Sequence, residues 1–248
     1  MPEVLAPGDP AGVATLEVMS AAPRYNAWMA GVIAPFVGRR ILEVGSGIGN
    51  MSAYLLERRP ERLVLTDTDP WYRHQVTTRF ADRAEVRVDT LTLPDPGAAA
   101  RFAADRIDTV VALNVVEHIE DDLGALGTIR GILTAGRQDG RTAGRAVILV
   151  PALQSIYGQL DRELGHYRRY SRASLGSAFR TAGLRVETMF WFNRVGVVGW
   201  WFNGRIRKVG QMPLGQVRRF DALVPVLRLE GILPLPFGLS LIAVGTPA

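Results

Sequence analysis

A chain of 248 residues with an apolar share of 48% is long enough for one α/β domain with an elaboration and a sizeable core. It has no cysteine, which excludes disulfides and thiolate metal sites. Its three histidines (His74, His118, His166) show no metal-ligand spacing, so no metal is expected. The net charge of +5 permits an anionic partner without requiring one.

No basic stretch precedes an apolar core at the N-terminus, and no apolar run reaches the ~18 residues of a spanning helix, so a cytoplasmic location is expected. Abundant Ala, Arg and Gly suggests a bacterial source. Residues 1–15 are rich in Pro, Gly and Ala and read as loose. Over 16–37, Tyr25, Trp28, Met29, Val32 and Ile33 recur at helical spacing. This predicts a helical cap over 1–37, ahead of a main domain over 38–248.

Ile41-Leu42-Glu43-Val44-Gly45-Ser46-Gly47-Ile48-Gly49-Asn50 joins an apolar strand to a helix over 51–57 through three glycines. Strand, glycine turn and helix is the construction that receives a nucleotide-like ligand at a strand's C-terminal end. Glycine lets the ligand approach the backbone closely. A dinucleotide fingerprint would carry its third glycine where Asn50 stands.

Residues 63–67 read as a buried strand closing on Asp67, an acid placed to accept from both hydroxyls of a ribose. Asp69 is the alternative for that role, or it caps the helix that Pro70 opens. A third strand over 85–88 ends at Asp89, followed by Thr90 and Leu91. A fourth over 108–113 leads into Asn114-Val115-Val116-Glu117-His118. A helix over 122–135, an Arg/Gly-rich turn over 136–144 and a fifth strand over 146–150 follow.

Tyr157, His166, Tyr167, Arg168, Arg169 and Tyr170 then crowd one loop before Ser171, which N-caps a helix over 172–182. His166 and the tyrosines can bond a substrate or take a proton. Arg168 and Arg169 can hold a carboxylate or phosphate. Equally, His166 and Tyr170 can lock the loop onto the domain. Strands six (184–190) and seven (239–244) are separated by an insertion at about 193–237. It carries Trp200, Trp201, Arg205, Arg207 and Lys208, then Val217, Phe220, Val224 and Leu227 at helical spacing.

The pattern from Glu43 to Asn50 resembles motif I of the class I S-adenosylmethionine-dependent methyltransferases. Asp67 and the Glu117-His118 segment strengthen a resemblance that covers 20–192 and 239–246. It implies an α/β fold with a seven-stranded, mostly parallel sheet, helices on both faces and a reversed last strand. S-adenosyl-L-methionine is the implied cofactor. Glu43, Gly45, Ser46, Gly47 and Asn50 would lie under its methionine part, Asp67 and Thr68 at the ribose, and Asp89, with Thr90 and Leu91 beside the purine ring, at the adenine. Asn114 and Val115 would line both cofactor and substrate mouth.

His166 is the first candidate for a general base, with His118 and Tyr170 behind it. Tyr25, Trp28, Tyr157, Arg168, Arg169, Trp200 and Trp201 are candidates for substrate contact, although Tyr25 and Trp28 read equally well as core of the cap. No Asn/Asp-Pro-Pro-Tyr run follows the fourth strand, which argues against methylation of a base amino group. The expected acceptor is a small, partly apolar molecule, a natural-product or lipid-linked intermediate. The alternatives are an RNA methyltransferase, or a scaffold or cyclase that binds the cofactor without methyl transfer. The insertion reads as a lid, a dimer surface or a peripheral membrane element, which leaves monomer and homodimer both open.

Overall fold

The computed structural model describes residues 6–136, 144–203, 213–232 and 235–248. Its seven strands are β1 (Arg40–Val44), β2 (Arg62–Asp67), β3 (Val86–Thr90), β4 (Thr109–Leu113), β5 (Arg145–Pro151), β6 (Leu184–Phe192) and β7 (Ser240–Pro247). They form one sheet in the order β3-β2-β1-β4-β5-β7-β6. Strands β1 to β5 pair in parallel, and β7 lies antiparallel between β5 and β6. In the centre, Val44 stands opposite Thr66 on one side and Ala112 on the other. The strand order reverses between β1 and β4, and such a reversal opens a crevice at the carboxyl ends of the strands.

Both faces of the sheet are covered because its strands are apolar on both sides. Side chains alternate along each strand. Ile41, Leu63, Leu65, Val111 and Val147 pack against α2 (Pro23–Ile33), α3 (Asn50–Glu57) and α4 (Pro70–Arg79). Leu42, Val64, Val110, Ala112 and Ile148 face α5 (Ala98–Phe102), α6 (Asp122–Ala135) and α8 (Arg172–Thr181).

The N-terminal segment differs from the loose stretch expected. Helix α1 (Pro10–Ser20) begins there, with Asp9 accepting from the Gly12 N–H at 2.9 Å and Pro10 in the first turn. The helix expected over 16–37 is therefore two helices. Pro23 opens α2 and holds Ala22 out of helical geometry, at φ −115 and ψ 62.

Between β6 and β7 the chain forms α9 (Gly196–Trp201) and α10 (Leu214–Leu227). Helix α10 packs on α2, and Asp221 accepts the Tyr25 N–H at 2.8 Å. Arg205, Arg207 and Lys208, and residues 137–143 of the Arg/Gly-rich turn, lie outside the described residues. Among the described residues, no helix is long and apolar enough to cross a membrane.

Candidate active site

The glycine turn after β1 has left-handed backbone at Gly45 (φ 68) and Gly47 (φ 52). A Cβ on Gly45 would stand 2.7 Å from Val115 Cγ2, and one on Gly47 2.7 Å from Leu16 Cδ1. Conformation and space both demand glycine at these two positions. The turn is tied to β2: Ser46 N–H donates to the Thr66 carbonyl at 2.9 Å, and Gly47 N–H to Asp67 Oδ2 at 3.0 Å. Asp67 Oδ1 accepts from Asp69 N–H at 3.1 Å. Burial raises the pKa of Asp67, against the pull of these backbone bonds. Glu43 is buried beneath the turn and accepts from Ser52 Oγ at 2.5 Å. Burial pushes its carboxyl up to about 8, and the nearby charge of Asp67 adds to that; the Ser52 bond opposes it.

These groups form the floor of a cavity of about 810 Å³ at the strand ends. Glu43, Gly45, Ser46, Gly47, Asn50, Asp67 and Thr68 line it, as do Asn114 and Val115 after β4. Asp69 instead caps α4, accepting from Trp71 N–H at 2.7 Å. Asp89 and Thr90 do not line the cavity. Strand β3 continues to Thr90, and Asp89 pairs with Arg87 at 3.2 Å and accepts from Thr90 N–H at 2.7 Å. The wall at this strand end is made by Leu91, Thr92 and Leu93.

Two more walls come from α1 and from the insertion between β6 and β7. Helix α1 contributes Gly12, Thr15, Leu16 and Met19. The insertion contributes Trp200, Asn203, Gln216, Val217 and Phe220. Tyr25 joins them, its ring 5.7 Å from that of Phe220. Trp28 does not reach the cavity; it packs in the core with its ring 4.6 Å from Phe192. Trp200 faces inward under the Arg169 guanidinium, 4.6 Å from its ring, whereas its neighbour Trp201 points outward and is 44% exposed.

The loop after β5 brings His166 to the cavity through α7 (Gln159–Glu163). Asp161, fully buried, accepts at Oδ1 from Arg169 Nε at 2.7 Å and at Oδ2 from Gly158 N–H at 2.9 Å. Its Oδ1 also lies 3.0 Å from His166 Nδ1. Burial works to raise the pKa of Asp161, but the bond to His166, the charge of Arg169 and the Gly158 N–H outweigh it and hold the pKa below the usual range. An ionised Asp161 accepts only, so Nδ1 of His166 carries a proton, and in the neutral ring the lone pair is on Nε2.

Three loop residues expected to meet a substrate are engaged elsewhere. Tyr170 is buried and donates to Asp122 Oδ2 at 2.7 Å, because its backbone pairs with Ala152 at the end of β5 and turns the ring away. Arg168 is bound to Asp122 at 2.9 Å and to the Glu120 carbonyl at 2.7 Å. Tyr157 donates to the His166 carbonyl at 2.7 Å. None of the three lines the cavity, while Arg169 does.

The fold also joins groups that the sequence leaves far apart. The rings of His118 and His166 meet edge to face, with centroids 4.7 Å apart. His118 opens onto the cavity with part of its ring exposed, and the protein packed around the rest of the ring, then His166, lowers its pKa. Glu117, next to it, is fully buried and neither carboxylate oxygen has a hydrogen-bond partner. Burial raises its carboxyl to about 8. Ser52, Asp161 and α1 were not expected at the site. Asp9-Pro10, a cap residue followed by proline, was the available signal for α1.

A family model described as a methyltransferase domain matches residues 21–189. No curated protein matches the sequence. Among solved structures, the methyltransferase bound to the Haloferax volcanii Trm112 methyltransferase activator is 16% identical, with a TM-score of 0.63 over 98% of this chain and 99% of that one. A geranyl diphosphate methyltransferase in complex with SAM is 13% identical, with a TM-score of 0.61 over 98% and 93%. A protein described as a sarcosine dimethylglycine methyltransferase, from Galdieria sulphuraria, is 14% identical, with a TM-score of 0.57 over 91% and 86%.

Proposed function

The chain belongs to the methyltransferase-domain family, and from that premise we propose that it moves a methyl group from S-adenosyl-L-methionine to a small, partly apolar acceptor. The strand ends fit this cofactor. The turn keeps Cβ atoms out of its path, and Asp67 retains lone pairs for ribose hydroxyls. Leu91 and Leu93 offer apolar surface to a purine, and Glu43 a carboxyl near the methionine end. When bound, the cofactor supplies an electrophilic methyl on a sulfonium.

What remains for the chain is to hold the acceptor in line, exclude water and deal with its proton. His166 is the polar group that meets the acceptor, through the free lone pair of Nε2. Asp161 is a positioning residue that sets the tautomer.

The reading of a small acceptor rests on one observation: cap and insertion both wall the cavity that the glycine turn floors. Tyr25, Met19, Trp200, Val217 and Phe220 make those walls mostly apolar. This supports a lid role for the insertion. A crystal structure with S-adenosylhomocysteine bound tests it. The expected result is a residual chamber bounded by Tyr25, Trp200 and His166. An open groove flanked by arginines would instead favour a nucleic-acid acceptor.

A further inference from the structure

Glu117 poses the sharpest unsolved problem in the molecule. A carboxyl group with no exposed surface and no hydrogen-bond partner on either oxygen is costly to bury, most of all when ionised. Arg169 is the nearest cationic candidate, but no ion pair joins it to Glu117 within 4.0 Å among the described residues, and its Nη2 is itself unpartnered. Both rings beside Glu117 are nitrogen donors. Ligand atoms of Glu117, His118 and His166 all lie within 4.8 Å of one another.

The supporting contacts suit metal ligation. His166 gives its Nδ1 to buried Asp161 at 3.0 Å, the carboxylate–histidine arrangement that fixes a metal-binding imidazole and raises its basicity. The ring of His118 meets that of His166 edge to face at 4.7 Å, which sets the two imidazoles side by side. Glu117 is buried behind the cavity, while both histidines line it.

We propose that Glu117, His118 and His166 form a site for a first-row divalent cation, with its open coordination positions toward the cavity. Two imidazoles and one carboxylate suit Zn²⁺, Mn²⁺ or Fe²⁺ and leave room for a substrate oxygen. The consequence for catalysis rests on the methyltransferase reading above. The contact between His166 and the acceptor is then made through the cation, and the acceptor carries a hydroxyl. A cation lowers the pKa of a hydroxyl bound to it. The hydroxyl proton passes to water. The oxygen lone pair forms the O–CH₃ bond as the S–CH₃ bond breaks, leaving a methyl ether and a neutral thioether.

The test uses the full chain, free of any purification tag and stripped with a chelator. It is titrated with Co²⁺, read by visible absorption, and with Zn²⁺, read by calorimetry, without cofactor or acceptor. The expected result is one equivalent per chain. Glu117→Gln and His118→Ala should each weaken binding at least tenfold, whereas His74→Ala, on exposed helix surface, should leave it unchanged. Binding of S-adenosylhomocysteine by the same variants shows that they are folded. Absence of saturable binding to the wild-type chain, or equal binding by the folded Glu117 and His118 variants, overturns the site. Retained cation binding without S-adenosylhomocysteine binding would leave the site standing and remove the methyltransferase reading.

Discussion

Gly47 donates its backbone N–H to Oδ2 of Asp67 at 3.0 Å, so the turn after β1 is held by the acid that ends β2. One carboxylate both closes the turn and presents its remaining lone pairs to the cavity. Gly47→Val strains a left-handed position and drives a side chain into Leu16. We expect cofactor binding to be abolished while far-UV circular dichroism stays near wild type, since the turn lies outside the helices and strands. Retained tight binding would mean that the turn does not contact the ligand.

Glu43 gives the chain a pH dependence of known sign. Its folded pKa of about 8 lies above the ordinary carboxyl value of 4.5. The folded state therefore holds this proton more tightly than the unfolded state. The resulting stabilisation is complete below about 4.5 and is lost as pH rises through about 8, at up to ~1.4 kcal/mol per pH unit. Glutamine has no proton to lose. The melting temperature of the cofactor-free Glu43→Gln variant should gain on wild type as pH rises from about 5 to about 9. A gap that stays constant with pH would show that Glu43 does not titrate in this range.

His166→Ala should lower kcat by ~10²–10⁴, the usual contribution of a group that takes a substrate proton or, in the cation-bound site, helps to hold the cation that acidifies it. Cofactor affinity should be intact, because no contact ties His166 to the glycine turn. Wild-type turnover at saturating acceptor would reduce the residue to a loop lock.

Trp200 and Trp201 separate a lid from a surface. Trp200→Ala removes a cavity wall and the Arg169 stacking contact, worth about 0.5–2 kcal/mol. It should alter KM or preference for the acceptor while leaving cofactor affinity alone. Trp201→Ala should change stability by less than about 0.5 kcal/mol and leave kinetics unchanged. The reverse pattern would place the functional face of the insertion outside the cavity.

The strand–turn–helix from Ile41 to Glu57 and the acid at Asp67 could be read in advance because their constraints are local. Glycines at positive φ and an acid at a strand end leave marks within a few residues. The loop after β5 was harder. Tyr157, Arg168, Arg169 and Tyr170 are all competent to bind a substrate, and only tertiary contacts with Asp122, Asp161 and the His166 carbonyl decide which remains at the cavity. The meeting of His118 with His166 depends on two strand ends lying side by side, which no spacing reveals. Asp89 misses the cavity for a simpler reason: two further residues carry β3 to Thr90, so Leu91 is the first residue beyond the strand end.

Cofactor placement is tested most directly by calorimetric titration of the wild-type chain and Asp67→Ala with S-adenosyl-L-methionine. One site per chain is expected in the wild type. The variant should lose about 1.5–3 kcal/mol of binding, the range for hydrogen bonds to a charged group, with the fold retained. Undetectable binding to the wild type, or equal affinity in the two proteins, would contradict the placement of the cofactor at the ends of β1 and β2.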